Sequence, residues 1–215
     1  MNLQKSTLYR YAELLAECTR ARLTGTRGAD EIYTLQILDC LSSLEFLPDK
    51  GRVIDVGSGG GLPGIVWAVY RPDLSVTLLD SVNKKCIAVR EILDALEIPN
   101  VEVICARSED YARTHREIFD MAGARALSSA GVTAELLSPL VKTGGRILTF
   151  KGEKVNDEIS AVNGKWNILG LSEPALKFYG GDDSSRCVVT WDKVKKCPAM
   201  FPRRVGLAGT KFFWE

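Results

Sequence analysis

Apolar positions recur at helical spacing through the first fifty residues and then change to short runs. Leu8, Tyr11, Leu14, Leu15 and Cys18 stand three or four apart, which predicts one buried stripe on a helix over residues 5–24. Gly25, Gly28 and Asp30 mark a break and a restart. A second helix is expected from about Glu31 to Leu44, with Ile32, Leu35, Leu38 and Leu41 inward. Pro48-Asp49-Lys50-Gly51 is a turn signal. These two helices predict an N-terminal helical cap over residues 1–48.

From Arg52 onward, short β-branched runs alternate with amphipathic stretches. Strands are expected near 53–57, 75–80, 101–105, 119–124 and 145–150, and helices near 64–70, 83–96, 131–140 and 153–161. Such alternation predicts an α/β unit with a parallel sheet and helices on both faces. After Gly164 the pattern changes. Ile168–Tyr179 and Ser185–Trp191 read as two strands joined by the polar turn at 180–184, a closing antiparallel hairpin. The core of the protein is thus expected at 49–192, followed by a basic tail at 193–215 with Pro198 and Pro202. The whole is expected to form a single globular unit, a size that 215 residues can fill.

Chemistry concentrates in Arg52–Gly64, RVIDVGSGGGLPG. Val53, Ile54 and Val56 suit a strand buried on both faces. Gly57, Gly59, Gly60 and Gly61 then let a ligand approach the main chain closely, and Pro63 prepares a helix start. Gly59-x-Gly61-x-x-Gly64 satisfies the dinucleotide fingerprint. Asp55, two residues before Gly57, points instead to S-adenosylmethionine, whose ammonium and sulfonium suit a carboxylate better than a pyrophosphate does. Asp55 either binds that ammonium or braces the glycine loop by hydrogen bonds. Asp80 ends the next strand, where it can accept both ribose hydroxyls of either cofactor.

Composition narrows the setting. The chain is 46% apolar, and no apolar run reaches membrane-spanning length. Met1–Lys5 opens an amphipathic segment rather than a signal peptide, so the expected location is the cytoplasm, away from membranes. Six cysteines without a C-x-x-C pair read as reduced thiols; no metal site or disulfide framework is expected. Net charge is +1, but Lys193–Lys211 holds six basic residues and no acidic one. That run is either a solvated surface or a nucleic-acid contact.

In open parallel sheets ligands sit beyond the carboxyl ends of the strands. That rule nominates Gly57–Leu62, Asp80-Ser81, Ala106–Asp110, Ala124–Ala126 and Lys151-Gly152. Several of these segments resemble one family: D-V-G-S-G-G-G-L-P-G at 55–64, R-P-D-L-S-V-T-L-L-D-S at 71–81, A-R-S-E-D at 106–110, R-A at 125–126, K-G at 151–152 and P-R-R-x-G at 202–206. The chain resembles the RsmG family, also called glucose-inhibited division protein B, from about Leu23 to Gly206. The resemblance implies the class I S-adenosylmethionine-dependent methyltransferase (Rossmann-like) fold, with a mostly parallel seven-stranded sheet. It implies methylation of N7 of a guanine in 16S ribosomal RNA, with that RNA or the small ribosomal subunit as partner. It also implies cofactor contacts at Gly57, Leu62, Ser108, Glu109 and Arg125. The family usually has N-L-T where Arg22-Leu23-Thr24 stands, and a histidine where Gln36 stands.

The candidate cofactor set is therefore Asp55, Gly57, Gly59, Leu62, Asp80, Ser108, Glu109 and Arg125. Arg125 is also the catalytic candidate. It either pairs with Glu109 or Asp110, or contacts the cofactor and orients the guanine. RNA contacts are expected from Lys151, Arg203 and Arg204, with a strand end and a solvated tail as the alternatives. Trp166 and Trp191 read as core; Trp214 could stack on a base. His115 lies in the polar segment Arg113–Arg116 and reads as a surface residue. Guanine N7 carries an available lone pair, so alignment and electrostatics suffice without a general base. A monomer is expected. The competing readings are a methyltransferase for another substrate, a nicotinamide dehydrogenase, and a non-catalytic RNA-binding ribosome-assembly factor.

Overall fold

The computed structural model describes residues 3–181 and 185–215. The chain forms two compact units, Met1–Ala106 and Arg107–Glu215.

The first unit opens with α1 (Leu3–Glu17), which buries Leu8, Tyr11, Ala12 and Leu15. It stops short of the expected residue 24, because beyond Cys18 only Ala21 and Leu23 could continue the apolar stripe before Gly25. The second helical run changes pitch three times: α2 (Ala29–Ile32), a π turn at Tyr33–Ile37, α3 (Leu38–Cys40) and a 3₁₀ turn at Leu41–Phe46. The wide π turn adds a residue and rotates the phase. Ile32, Ile37 and Cys40 are therefore buried, while Leu35 is 56% and Leu38 36% exposed, contrary to the regular helical spacing.

Strand β1 (Gly51–Val56) leads into α4 (Gly64–Tyr70), β2 (Leu74–Asp80), α5 (Asn83–Leu96) and β3 (Val101–Cys105). β1 pairs parallel with β2, and β2 with β3, placing Asp80 opposite Cys105. Apolar residues fill both faces of β1 and β2, as the continuous runs required. Trp67 on α4 is fully buried, and its Nε1–H donates to Ser43 Oγ at 2.8 Å.

The second unit begins with α6 (Ser108–Thr114), an element the polar stretch SEDYART did not announce. There follow β4 (Phe119–Arg125), α7 (Ala130–Leu137), β5 (Val141–Lys151), α8 (Val155–Val162), β6 (Ala175–Phe178) and β7 (Cys187–Asp192). β4 and β5 are parallel; β7 runs antiparallel to both β5 and β6. The expected strand from 168 shortens to four residues. Trp166 and Leu169 instead tuck into a 3₁₀ turn that closes on Gly170 at φ 78°. Trp166 and Trp191 are core residues, 5.1 Å apart. Of the expected turn at 180–184, Asp182, Asp183 and Ser184 lie outside the described residues. The seven strands are ordered β3-β2-β1-β4-β5-β7-β6. The fold is the mostly parallel sheet with an antiparallel closing hairpin that the alternation implied.

Candidate functional site

In the first unit the glycine turn leaves the carboxyl end of β1 and is fixed from three sides. Gly57 and Ser58 donate their N–H groups to Leu79 O at 2.7 and 3.1 Å. The Gly59 N–H, at a left-handed φ of 57°, donates to Asp80 Oδ2 at 2.9 Å. Tyr11 OH donates to Gly60 O at 2.7 Å. A Cβ placed on Gly59 would meet Leu23 O at 3.9 Å and Gly57 O at 4.0 Å, ordinary van der Waals contact, so the turn leaves room for an atom to approach there. Leu62 closes the turn and is 8% exposed.

The two acidic residues divide their work. Asp55 is fully buried, and its Oδ2 accepts the Gly64 N–H at 2.9 Å. It braces the start of α4, the second of the two roles that the sequence left open for it. Asp80 Oδ1 accepts the Val82 N–H at 2.8 Å while Oδ2 holds Gly59. Each oxygen keeps a second lone pair, so the carboxylate both fixes the loop and can accept hydroxyls.

In the second unit, Ser108 opens α6 and donates to Leu136 O at 3.2 Å. Glu109 is 8% exposed, and its Oε1 accepts the Gly206 N–H at 2.9 Å. Asp110 approaches Arg113 at 4.0 Å. Arg125 ends β4, half-buried and opposite Phe150 of β5.

Two of the expected RNA contacts are committed elsewhere. The Lys151 side chain is 8% exposed; its ammonium sits 2.8 Å from Glu158 and also donates to Ser128 O. Arg203 makes a bidentate pair with Glu135 at 2.7 and 2.6 Å, and donates to Lys211 O at 2.6 Å. Both charges are paired with carboxylates within the protein. Arg204 is exposed.

Lys193, also in the basic run, is buried. Its Nζ donates to Glu117 Oε1, Ser138 O and Val141 O at 3.0, 2.7 and 2.8 Å. Burial pushes the Lys193 pKa down, against the pull of Glu117. Burial works against the Glu117 carboxylate too, but the Cys197 N–H and the Lys193 ammonium outweigh it and hold its pKa below the ordinary value. His115 stacks on Tyr111 with ring centroids 4.0 Å apart. Burial and the neighbouring Cys105 raise the Cys86 pKa to about 11, keeping that thiol protonated. Among the described residues no group of three His, Cys, Asp or Glu could hold a metal ion, and no helix is long and apolar enough to cross a membrane.

Sequence reasoning passed over the loop after α1. Ten residues between Leu15 and Arg27 line a 420 Å³ cavity, among them Arg22, Thr24, Thr26 and Arg27. The Leu23 carbonyl abuts the glycine turn, 3.0 Å from where a Cβ on Gly60 would lie. The one available signal was the pair of departures from the family pattern at Arg22 and Gln36.

The sequence profile of the GidB family, described as rRNA small subunit methyltransferase G, matches residues 4–187. "Ribosomal RNA small subunit methyltransferase G" of Petrotoga mobilis is 37% identical over 205 residues, covering 92% of this chain and 90% of that protein. Among solved structures, an rRNA methylase from Streptococcus thermophilus superposes with a TM-score of 0.54 at 17% identity, over 74% of this chain and 95% of that one. A candidate methyltransferase from Streptococcus mutans, solved in complex with SAH, gives 0.53 at 16% identity, over 73% and 96%.

Proposed function

The chain belongs to the GidB family, rRNA small subunit methyltransferase G, and on that premise we propose that it transfers a methyl group from S-adenosylmethionine to N7 of a guanine in 16S ribosomal RNA. The observation that carries this reading is the fixed glycine turn at the carboxyl end of β1, with its Gly59 N–H held by the Asp80 carboxylate that ends β2. These residues fit a nucleoside cofactor: the turn offers close main-chain approach, and the Asp80 carboxylate retains lone pairs for ribose hydroxyls.

When bound, the cofactor supplies a methyl group on a positively charged sulfur. The protein's part is placement. Gly57, Gly59 and Leu62 form the turn against which the cofactor rests, Asp80 takes the ribose, and Asp55 holds the turn from below. Ser108 and Glu109 serve the adenine by family correspondence. Arg125 orients the guanine, and no side chain has to remove a proton, because N7 attacks with its own lone pair. Arg204 supports RNA binding as a phosphate contact. In this reading residues 1–48 cap the site and 49–192 carry the transfer. The partner is the small-subunit RNA, the location the cytoplasm, and the working form a monomer.

The test is transfer of labelled methyl from S-adenosylmethionine to 16S rRNA or small subunits, followed by nuclease digestion and mass spectrometry. The expected product is 7-methylguanosine. A different methylated nucleoside would overturn the N7 assignment, and RNA binding with no transfer would favour the assembly-factor reading.

A further inference from the structure

The cavity after α1 has a chemical character that the fold does not require. Arg22 donates to the carbonyls of Thr24 and Gly25 at 3.4 and 3.3 Å, so its charge meets neutral acceptors only. Arg27 is exposed and has no hydrogen bond or ion pair among the described residues. No carboxylate lines the cavity. Gln36, on the π turn, donates its amide N–H groups to both Thr24 Oγ1 and Thr26 Oγ1. The Thr26 backbone N–H also donates to Thr24 Oγ1, at 3.1 Å. A hydroxyl whose lone pairs are occupied by incoming donors can act only as a donor itself. Thr24 Oγ1 takes two such donors, so its hydroxyl is left to donate, and the cavity adds two guanidinium groups, a set that suits an anion. At 420 Å³ the space falls in the range of ~300–1,000 Å³ typical of ligand sites, enough for a nucleotide unit.

We infer that this cavity binds a backbone phosphate of the substrate RNA next to the target nucleotide, with Arg22 and Arg27 as the phosphate contacts and Gln36 as the positioning residue. The inference rests on the RNA-substrate reading above. The contact of Leu23 with the glycine turn puts the cavity beside the proposed methyl-donor site, where a strand delivering a guanine has to pass.

The test is retention of an unmodified 16S rRNA transcript on filters across a salt series, with calorimetry for S-adenosylmethionine. For Arg22→Ala/Arg27→Ala, RNA affinity is expected to fall about tenfold or more. The slope of log affinity against log salt is expected to shrink by about 1.4, two contacts at ~0.7 each. Cofactor affinity stays unchanged. The double lysine variant keeps the slope, which separates charge from folding. Gln36→Ala lowers affinity while leaving the slope at the wild-type value, because it removes orientation and no charge. An unchanged slope in the double alanine variant, or unchanged affinity in Gln36→Ala, overturns the inference. Binding is read without turnover, so a wild-type protein that binds through these residues but never methylates would fail the proposed function alone.

Discussion

Arg203 grips Glu135 through two parallel N–H···O bonds of 2.7 and 2.6 Å, with the glutamate side chain 1% exposed and the arginine 13%. Glu135 lies on α7, 68 residues earlier in the chain. A planar guanidinium matched to a carboxylate is the strongest form of this pair, and it leaves Arg203 little capacity for an external phosphate.

Removing one partner of a buried pair strands the other. Arg203→Ala is therefore expected to cost about 3–5 kcal/mol of stability, while Arg204→Ala, at an exposed position, stays within about 0.5 kcal/mol. Urea denaturation of the two variants decides it; equal, small losses would mean that the Glu135 pair contributes nothing measurable.

Glu117 gives the second unit an acid-sensitive element. Its folded pKa lies below the ordinary value, so the stability it contributes is fully present above the usual carboxylate range. It is lost as pH falls through the depressed folded value. Glu117→Gln is expected to flatten that part of the acid limb. It also costs about 3 kcal/mol near neutrality, because the Lys193 ammonium loses its counter-charge. Urea midpoints collected from neutral to acid pH test both statements; parallel curves for the variant and the wild type would refute the assignment.

Gly64 is where α4 comes closest to the sheet. A Cβ there would lie 2.2 Å from Leu78 Cδ2 and 3.0 Å from Asp55 Cβ. Gly64→Ala is expected to destabilise by about 1–3 kcal/mol through overpacking. Gly25→Ala, which meets nothing within 4 Å, serves as the control and is expected to be neutral. Thermal melts that rank the two the other way would show that the helix shifts freely.

Asp80→Ala removes the acceptor of the Gly59 and Val82 N–H groups and the proposed ribose contact together. Cofactor affinity is expected to drop by an amount on the order of 1–3 kcal/mol, read by calorimetry with S-adenosylmethionine. Unchanged affinity would remove Asp80 from the cofactor set.

What the sequence revealed follows from the range of each interaction. β1, β2 and the glycine turn were legible because their cues lie within a few residues: β-branched runs, Gly57–Gly61 and Asp80. α6 was not, since only Tyr111 and Ala112 of its seven residues turn inward as apolar groups. The π turn at Tyr33–Ile37 changed which leucines are buried, a shift in pitch that regular spacing cannot register. Lys151, Lys193 and Arg203 looked like a nucleic-acid surface in sequence. Their carboxylate partners stand 7, 76 and 68 residues away, and a one-dimensional charge count sees no such distant pairing.

The fastening of residues 193–215 has a consequence for how the protein could be retired. Three acids of the same unit hold this segment: Glu117 takes the Cys197 N–H and Lys193, Glu109 takes the Gly206 N–H, and Glu135 takes Arg203. A protease cutting just after Asp192 would release the counterions of a buried interior along with the peptide. The remainder would have to draw in water or protons to quiet those acids. A single nick there is expected to act as an irreversible shutdown, visible in limited proteolysis as rapid loss of the whole second unit once the first cut is made.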